Sequence, residues 1–354
     1  MSDSSADLEA TGASKRGPST GISRPATLAD IAQTAGVHVT TVSRALRGGE
    51  GVGRKTAERV RVVAAELGYL PHPGATSLRT GRSKMIGVVV PRLTDIVLAT
   101  IYEGIESGSA GASYQAVVAN SGDERETQRV RVEALLAARV DGLILGDARN
   151  DSSLIQGLID RGSKVVLTSR RIPGILSVTC DDLLGGRLAA EHLLELGHRH
   201  LAVIAGEPYA STGIDRTQGF REVCAKEGVE IPDTHVLHSR FDVRGGREAA
   251  EVLLRRDPRP TALFVVNDFA AIGAMGAIRD SGLQVGQDVA VVGFNDVPLA
   301  AELSVPLSSV RSPMWEMGHE AARTLVRLID GEDCESIALQ PELKARASSL
   351  QSRR

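Results

Sequence analysis

The apolar positions change period along the chain, and each change marks a boundary. Residues 1–24 hold Ser, Gly and Ala with scattered charges and no period, which predicts a disordered tail. From Thr27 the residues Leu28, Ile31, Ala32 and Ala35 recur on one helical face; Thr27 and Asp30 are spaced as a capping box, and Gly36 stands where the helix should stop. A second helix is predicted from Val39 to Leu46, burying Val42 and Leu46. After a run of glycines, a third is predicted from Arg54 to Leu67, burying Val60, Val63, Ala64 and Leu67. Three short helices predict one small domain over residues 25–70.

Pro71-His-Pro-Gly74 breaks that pattern, and residues 71–84 read as a short basic connector, a hinge. Beyond Lys84 the texture becomes a repeated strand and helix. Ile86-Gly-Val-Val-Val90, Gln115 to Ala119, Gly142 to Leu145, Lys164 to Leu167, Leu201 to Ile204, Ala262 to Val266 and Val289 to Val292 are continuous apolar runs, as strands buried on both faces of a parallel sheet require. Amphipathic stretches separate most of them, including residues 125–138, 185–196, 216–227, 245–255 and 268–280. The fold class that follows is α/β and doubly wound, behind an N-terminal three-helix headpiece.

Size and charge sharpen this division. At 354 residues the chain exceeds what one core usually serves. The net charge is -3, yet residues 25–84 hold nine Lys/Arg against four acids. A basic module therefore precedes an acidic body, and a polyanion is the expected partner of the module alone. Cys180, Cys224 and Cys334 are spaced too far apart for a metal knuckle or a redox pair, so buried free thiols are expected. With a polar N-terminus and no apolar run long enough to span a bilayer, the expected location is the cytoplasm, with no membrane partner.

The chemistry is concentrated in the second helix. Two helices joined by a glycine turn, with a third packed across them, match the helix-turn-helix plan, in which the second helix enters a DNA major groove. Its outward face offers Arg44 for a bidentate guanine contact, and Val39 and Thr40 for thymine methyls. Thr41, Ser43 and Arg47 suit phosphates, which position the helix without specifying sequence. A helical hairpin with a solvated polar face is the alternative.

These residues also carry a resemblance. Asp30-Ile-Ala with Ala35-Gly-Val37, Thr41-Val-Ser-Arg44, Leu67-Gly-Tyr69, Ser77-Leu-Arg-Thr-Gly81, Glu195-Leu-Gly-His-Arg-His200, Gly219-Phe220, Asn267-Asp268 and Val291-Val-Gly-Phe-Asn-Asp296 resemble the LacI/GalR family of transcription regulators from about residue 25 to residue 345. The resemblance implies a two-lobed effector and dimerisation domain over 85–345, similar to periplasmic sugar-binding proteins. It also implies a homodimer acting on a pseudo-palindromic double-stranded operator. Lobe 1 is expected at 85–181 and 307–330, lobe 2 at 182–306 and 331–345, with chain crossings near Asp181, Pro306 and Asp330 and a tail at 346–354. Leu78 corresponds to the family's minor-groove wedge. A small effector, a sugar or related metabolite, would lie between the lobes at Asp95, Arg216, Phe241, Asn267 and Asn295. The implied function is a repressor whose operator affinity the effector modulates. A regulator whose cavity is vestigial or filled by a protein is the alternative.

Some positions depart from the family pattern. His38 replaces the usual capping Ser, His72-Pro-Gly-Ala-Thr-Ser-Leu78 replaces a more helical hinge, Ile96-Val-Leu98 replaces Pro-Phe-Phe, and Asn295 replaces an Asp. Gly51-Val-Gly-Arg-Lys-Thr56 is no phosphate loop, since Arg54 interrupts it and no strand precedes it. No carboxylate or cysteine stands at a ligand spacing from His198 and His200, so no metal is expected. No catalytic motif or cofactor fingerprint is present, which argues against an enzyme. After Pro341 there is no leucine repeat, so a dimer rather than a tetramer is expected.

Overall fold

The computed structural model describes residues 24, 26–46, 51–69 and 81–350. The chain divides into two compact units, Met1–Leu78 and Arg79–Arg354. The expected hinge, 71–84, thus lies largely outside the described residues.

The first unit contains α1 (Leu28–Ala35), α2 (Val39–Leu46) and α3 (Arg54–Glu66). The capping box forms: Thr27 Oγ1 accepts the Asp30 N–H at 3.3 Å while Asp30 accepts the Thr27 N–H at 2.8 Å. Gly36 closes α1 with φ of 60°, a left-handed conformation that glycine adopts without steric cost. Ile31, Ala32, Ala35, Val42, Ala45, Ala57, Val60, Val63 and Ala64 make the small core. Two expected core residues differ. Leu67 is the C-cap of α3 and is 39% exposed, because the helical face ends before it, and Leu46 is only half-buried.

The second unit begins with β1 (Met85–Val90), α4 (Ile96–Ala110), β2 (Gln115–Asn120), α5 (Arg125–Ala137), β3 (Gly142–Leu145), α6 (Leu154–Asp160), β4 (Val165–Thr168) and β5 (Ser177–Cys180). A second lobe follows with α7 (Asp182–Glu195), β6 (Leu201–Ala205), α8 (Ser211–Lys226), β7 (Val236–His238), α9 (Val243–Leu253), β8 (Ala262–Val265), α10 (Asp268–Asp280), β9 (Ala290–Asn295), α11 (Pro298–Glu302) and β10 (Ser308–Arg311). The chain then returns to the first lobe as α12 (Met314–Ile329) and β11 (Ile337–Leu339), and ends in the second as β12 (Glu342–Lys344) and α13 (Ala347–Leu350).

Each lobe has a six-stranded sheet, in the orders β11-β5-β4-β3-β1-β2 and β12-β10-β9-β8-β6-β7. Every pairing is parallel except β10 with β12. Apart from half-buried Met85, the central strands are buried along their length, which is why the sequence shows them as unbroken apolar runs. Helix α12 packs on α4 so closely that a Cβ on Gly318 would lie 1.9 Å from the Ile101 carbonyl oxygen.

The topology corrects the lobe boundaries. The chain crosses at Asp181 as expected, but β10 pairs with β9 and so belongs to the second lobe; the second crossing comes after Arg311, not near Pro306. Likewise β11 pairs with β5 in the first lobe, so the third crossing falls between Leu339 and Glu342, not near Asp330. The expected tail is also partly structured, since α13 buries Ser348 and Ser349. These misplacements share a cause: β10, β11 and β12 are short, and β10 is Ser-Ser-Val-Arg, whose buried hydroxyls are satisfied by hydrogen bonds rather than announced by apolar side chains.

Candidate functional site

In the first unit, α2 buries Val42 and Ala45 and turns the opposite face outward. His38, Val39, Thr40 and Arg44 are exposed, while Thr41 and Ser43 are half-buried. Among the described residues no ion pair or hydrogen bond holds the Arg44 side chain. His38 supplies the cap its sequence put in question: its Nδ1 lies 2.9 Å from Thr40 Oγ1 and accepts the Thr40 N–H at 3.4 Å. This hydrogen bond preserves the start of α2 without the usual serine. Arg47 and Leu78, the remaining candidate DNA contacts, lie outside the described residues.

In the second unit a cavity of about 240 Å³ lies between the lobes, at the carboxyl ends of the strands. Asp95, Arg216, Phe241, Asn267 and Asn295 all line it. Several of them also carry structural duties. Asp95 caps α4, accepting the Val97 N–H at 3.0 Å, and burial raises its pKa. Asn267 caps α10 through the Ala270 N–H at 3.0 Å. Arg216 donates to Asp182 and to the Val266 carbonyl, both at 2.7 Å, and its guanidinium lies 3.6 Å from the Phe294 ring centroid. Burial pushes the Asp182 carboxyl up to about 6 against the opposing pull of Arg216. Phe241 rests on Gly206, where a Cβ would come within 2.1 Å of its ring.

Asn295 and its neighbour adopt a costly backbone. Asn295 has φ of 105° and Asp296 has φ of 54°, consecutive non-glycine residues on the left-handed side. Such conformations cost roughly 1–3 kcal/mol each and persist where the surroundings over-determine them. Here the Asp296 N–H donates to Ser309 Oγ at 3.0 Å and the Val297 N–H donates to Asp268 at 2.8 Å. Asp268 also accepts from Ser309 Oγ at 2.6 Å, and burial pushes its carboxyl up to about 7.

One wall of the cavity escaped the sequence reading. Arg170, buried, donates two bonds to Asp123, and the Tyr209 hydroxyl from the other lobe donates to the same carboxylate at 3.2 Å. Burial works against ionisation of Asp123, but the bonds from Arg170 and Tyr209 and the charge of Arg149 outweigh it and hold the carboxyl below its ordinary range. The Arg149 guanidinium stacks 3.3 Å from the Tyr209 ring centroid. Further ties cross between the lobes: Asn150 N–H to the Tyr209 carbonyl at 3.1 Å, and Arg171 to Asp215 at 2.8 and 2.9 Å. The only sequence signal was a dense cluster of arginines and carboxylates in loops just after strands.

The described residues form no cluster able to hold a metal ion. A three-helix headpiece of helix-turn-helix plan, followed in the chain by a two-lobed parallel α/β body with a polar cavity between its lobes, defines a ligand-responsive DNA-binding regulator. Comparison with known proteins agrees for both units. Residues 27–72 match the model of bacterial regulatory proteins of the lacI family, and residues 190–349 match a periplasmic binding protein-like domain. The chain is 32% identical over 330 residues to the ribose operon repressor of Haemophilus influenzae, spanning 91% of this chain and 98% of that protein. It is 36% identical over 328 residues to the transcriptional regulator CelR of Thermobifida fusca, covering 89% and 95%. Among solved structures, the lac repressor dimer bound to operator and the anti-inducer ONPF is similar with TM-score 0.85 and 29% identity, covering 93% of this chain and all of that one. A CelR complex with cellobiose gives TM-score 0.70 and 33% identity, covering 91% and 99%. The chain belongs to the lacI family of transcription regulators. Its headpiece marks it as a DNA-binding transcription regulator, and the curated relatives named above are transcription regulators as well. Among the described residues, no helix is long and apolar enough to cross a membrane.

Proposed function

We propose that this regulator acts as a cytoplasmic homodimer that reads a pseudo-palindromic operator with α2 and releases it, or grips it, according to a carbohydrate-like effector held between the lobes. On each half-site Arg44, Val39 and Thr40 face bases while Thr41, Ser43 and Arg47 face phosphates, and Leu78 wedges into the minor groove. The observation that carries the DNA half is the outward face of α2, where Arg44, without a partner among the described residues, stands beside exposed Val39 and Thr40. The effector half is supported by the cavity, in which arginine, carboxylate and amide groups surround Phe241, a set suited to hydroxyls around one ring face.

Effector binding that changes the lobe angle would be coupled to operator affinity by about 1–3 kcal/mol, and reciprocally. The test is selection of bound duplexes from a random pool, with wild type and Arg44→Ala compared at one fixed salt concentration. A palindrome enriched by wild type, with preference lost at one symmetric pair of positions in Arg44→Ala, supports the reading. No enriched palindrome, or an unchanged preference in the variant, would overturn it. Repeating the binding with ribose and with cellobiose tests the effector half.

A further inference from the structure

We propose that the C-terminal segment 346–349 is a strap that holds the Asn295 wall of the cavity in its binding shape, with Arg346 as the positioning residue. The proposal rests on the reading of that cavity as an effector site. Arg346 sits where the sequence pattern shows only the start of a polar tail, yet its side chain runs inward. One terminal nitrogen lies 2.7 Å from Asp296 Oδ1 and also donates to the Leu307 carbonyl at 2.7 Å. The Asp296 side chain is 6% exposed; its other oxygen has Arg311 at 3.6 Å, and Arg311 is itself 58% exposed. Arg346 is therefore the closer and better-shielded cation, and the one that matters most for that carboxylate.

The strap is anchored at each step. The Arg346 N–H donates to Ser308 Oγ at 2.7 Å, and the Ser348 hydroxyl donates to the Val291 carbonyl at 2.6 Å while accepting the Ser308 N–H at 2.8 Å. Ser349 Oγ lies 2.6 Å from Ser308 Oγ and 2.7 Å from His192 Nε2. All these partners belong to the second lobe. Asp296 is thus gripped on the side away from the cavity lining, while Asn295, next to it in the chain and also at positive φ, lines the cavity. The two left-handed residues have no glycine to ease them, so their geometry depends on the groups that hold Asp296. Arg346 does not line the cavity; it sets where Asn295 stands.

The experiment compares amide hydrogen exchange in the full-length wild type, Arg346→Met and Arg346→Lys, following the peptide from Phe294 to Pro298. Met retains most of the alkyl packing without the charge, and Lys restores the charge. The expected result is exchange faster by roughly tenfold in Arg346→Met, confined to that peptide, and largely reversed in Arg346→Lys. Ribose titrated into the same proteins should show a parallel loss and recovery of affinity. Unchanged protection of the peptide in Arg346→Met would overturn the proposal, as would a loss of protection spread through the second lobe, which would make Arg346 a stability residue only. If wild type binds no ribose while the exchange result holds, the choice of sugar fails and the strap stands.

Discussion

Arg170 places its two terminal nitrogens on the two oxygens of Asp123, at 2.7 and 2.8 Å, with the arginine side chain 7% exposed and the aspartate 20%. The pair belongs to the first lobe, and Tyr209 joins it from the second. Removing the carboxylate leaves a buried guanidinium without its partner, which costs far more than the pair contributes net. Asp123→Ala is therefore expected to destabilise the effector domain by about 3 kcal/mol, the low end for a broken buried pair because Asp123 keeps some contact with solvent. Urea denaturation followed by tryptophan fluorescence measures this, since Trp315 is the sole tryptophan and lies in α12 of the same domain. A loss below measurement error would mean that Arg170 finds another partner.

Tyr209 offers a test of lobe closure. Its hydroxyl bonds Asp123, its ring carries Arg149, and its carbonyl accepts from Asn150, all across the cleft. Tyr209→Leu removes the first two, worth together about 1–2 kcal/mol. The expected outcome is a shift of the ligand-free protein toward an open cleft, seen as a larger radius of gyration in small-angle scattering. Tyr209→Phe should fall in between, because the stacked cation remains. An unchanged scattering curve for Tyr209→Leu would assign closure to the Arg171 pair with Asp215 instead.

The parts of this molecule legible in its sequence are those where one physical cause acts alone. Apolar runs such as Ile86 to Val90 could only be buried strands, and Thr27, Asp30 and Gly36 mark the ends of α1 by side-chain chemistry and backbone freedom. The cavity residues Asp95, Arg216, Phe241, Asn267 and Asn295 came from motif position, and the structure brings them together around one space. The clasp of Asp123, Arg149, Arg170 and Tyr209 was not legible, because its members come from four different loops, three of them in the first lobe, and Tyr209 reaches them only across the cleft. Strand β10 was hidden because its Ser308 and Ser309 are buried through hydrogen bonds and so read as loop residues.

Helix α12 against α4 should tolerate little change in volume. A Cβ at Gly318 would stand 1.9 Å from a backbone oxygen of Ile101, and one at Gly104 2.1 Å from that of Trp315, so no rotamer change can relieve either contact. Gly318→Ala must push the helices apart along their length, and overpacking of this kind costs about 1–3 kcal/mol or more. Gly157, with nothing within 4 Å of its Cβ position, provides the control. Thermal unfolding should show a marked drop for Gly318→Ala and little change or a gain for Gly157→Ala, whose helical position favours alanine. Equal effects at the two positions would contradict the close packing.

Asp147 gives the domain a predictable response to pH. It is 1% exposed, neither of its oxygens has a hydrogen-bond partner among the described residues, and burial pushes its carboxyl up to about 6, with Ser121, Gln128 and Arg170 near enough to oppose. In the unfolded chain an aspartate titrates near 3.9. The folded state therefore holds the proton more tightly, so the contribution of Asp147 to stability is greatest below about pH 4 and is lost as pH rises through about 6. Asp147→Asn cannot ionise and removes this dependence. Near pH 8 the variant should be more stable than wild type by roughly 1–3 kcal/mol, and the advantage should shrink as the pH is lowered toward about 4. Urea midpoints across that range decide the matter. If Asp147→Asn is instead less stable near pH 8, the ionised carboxylate is engaged by a favourable partner and burial is not its dominant influence.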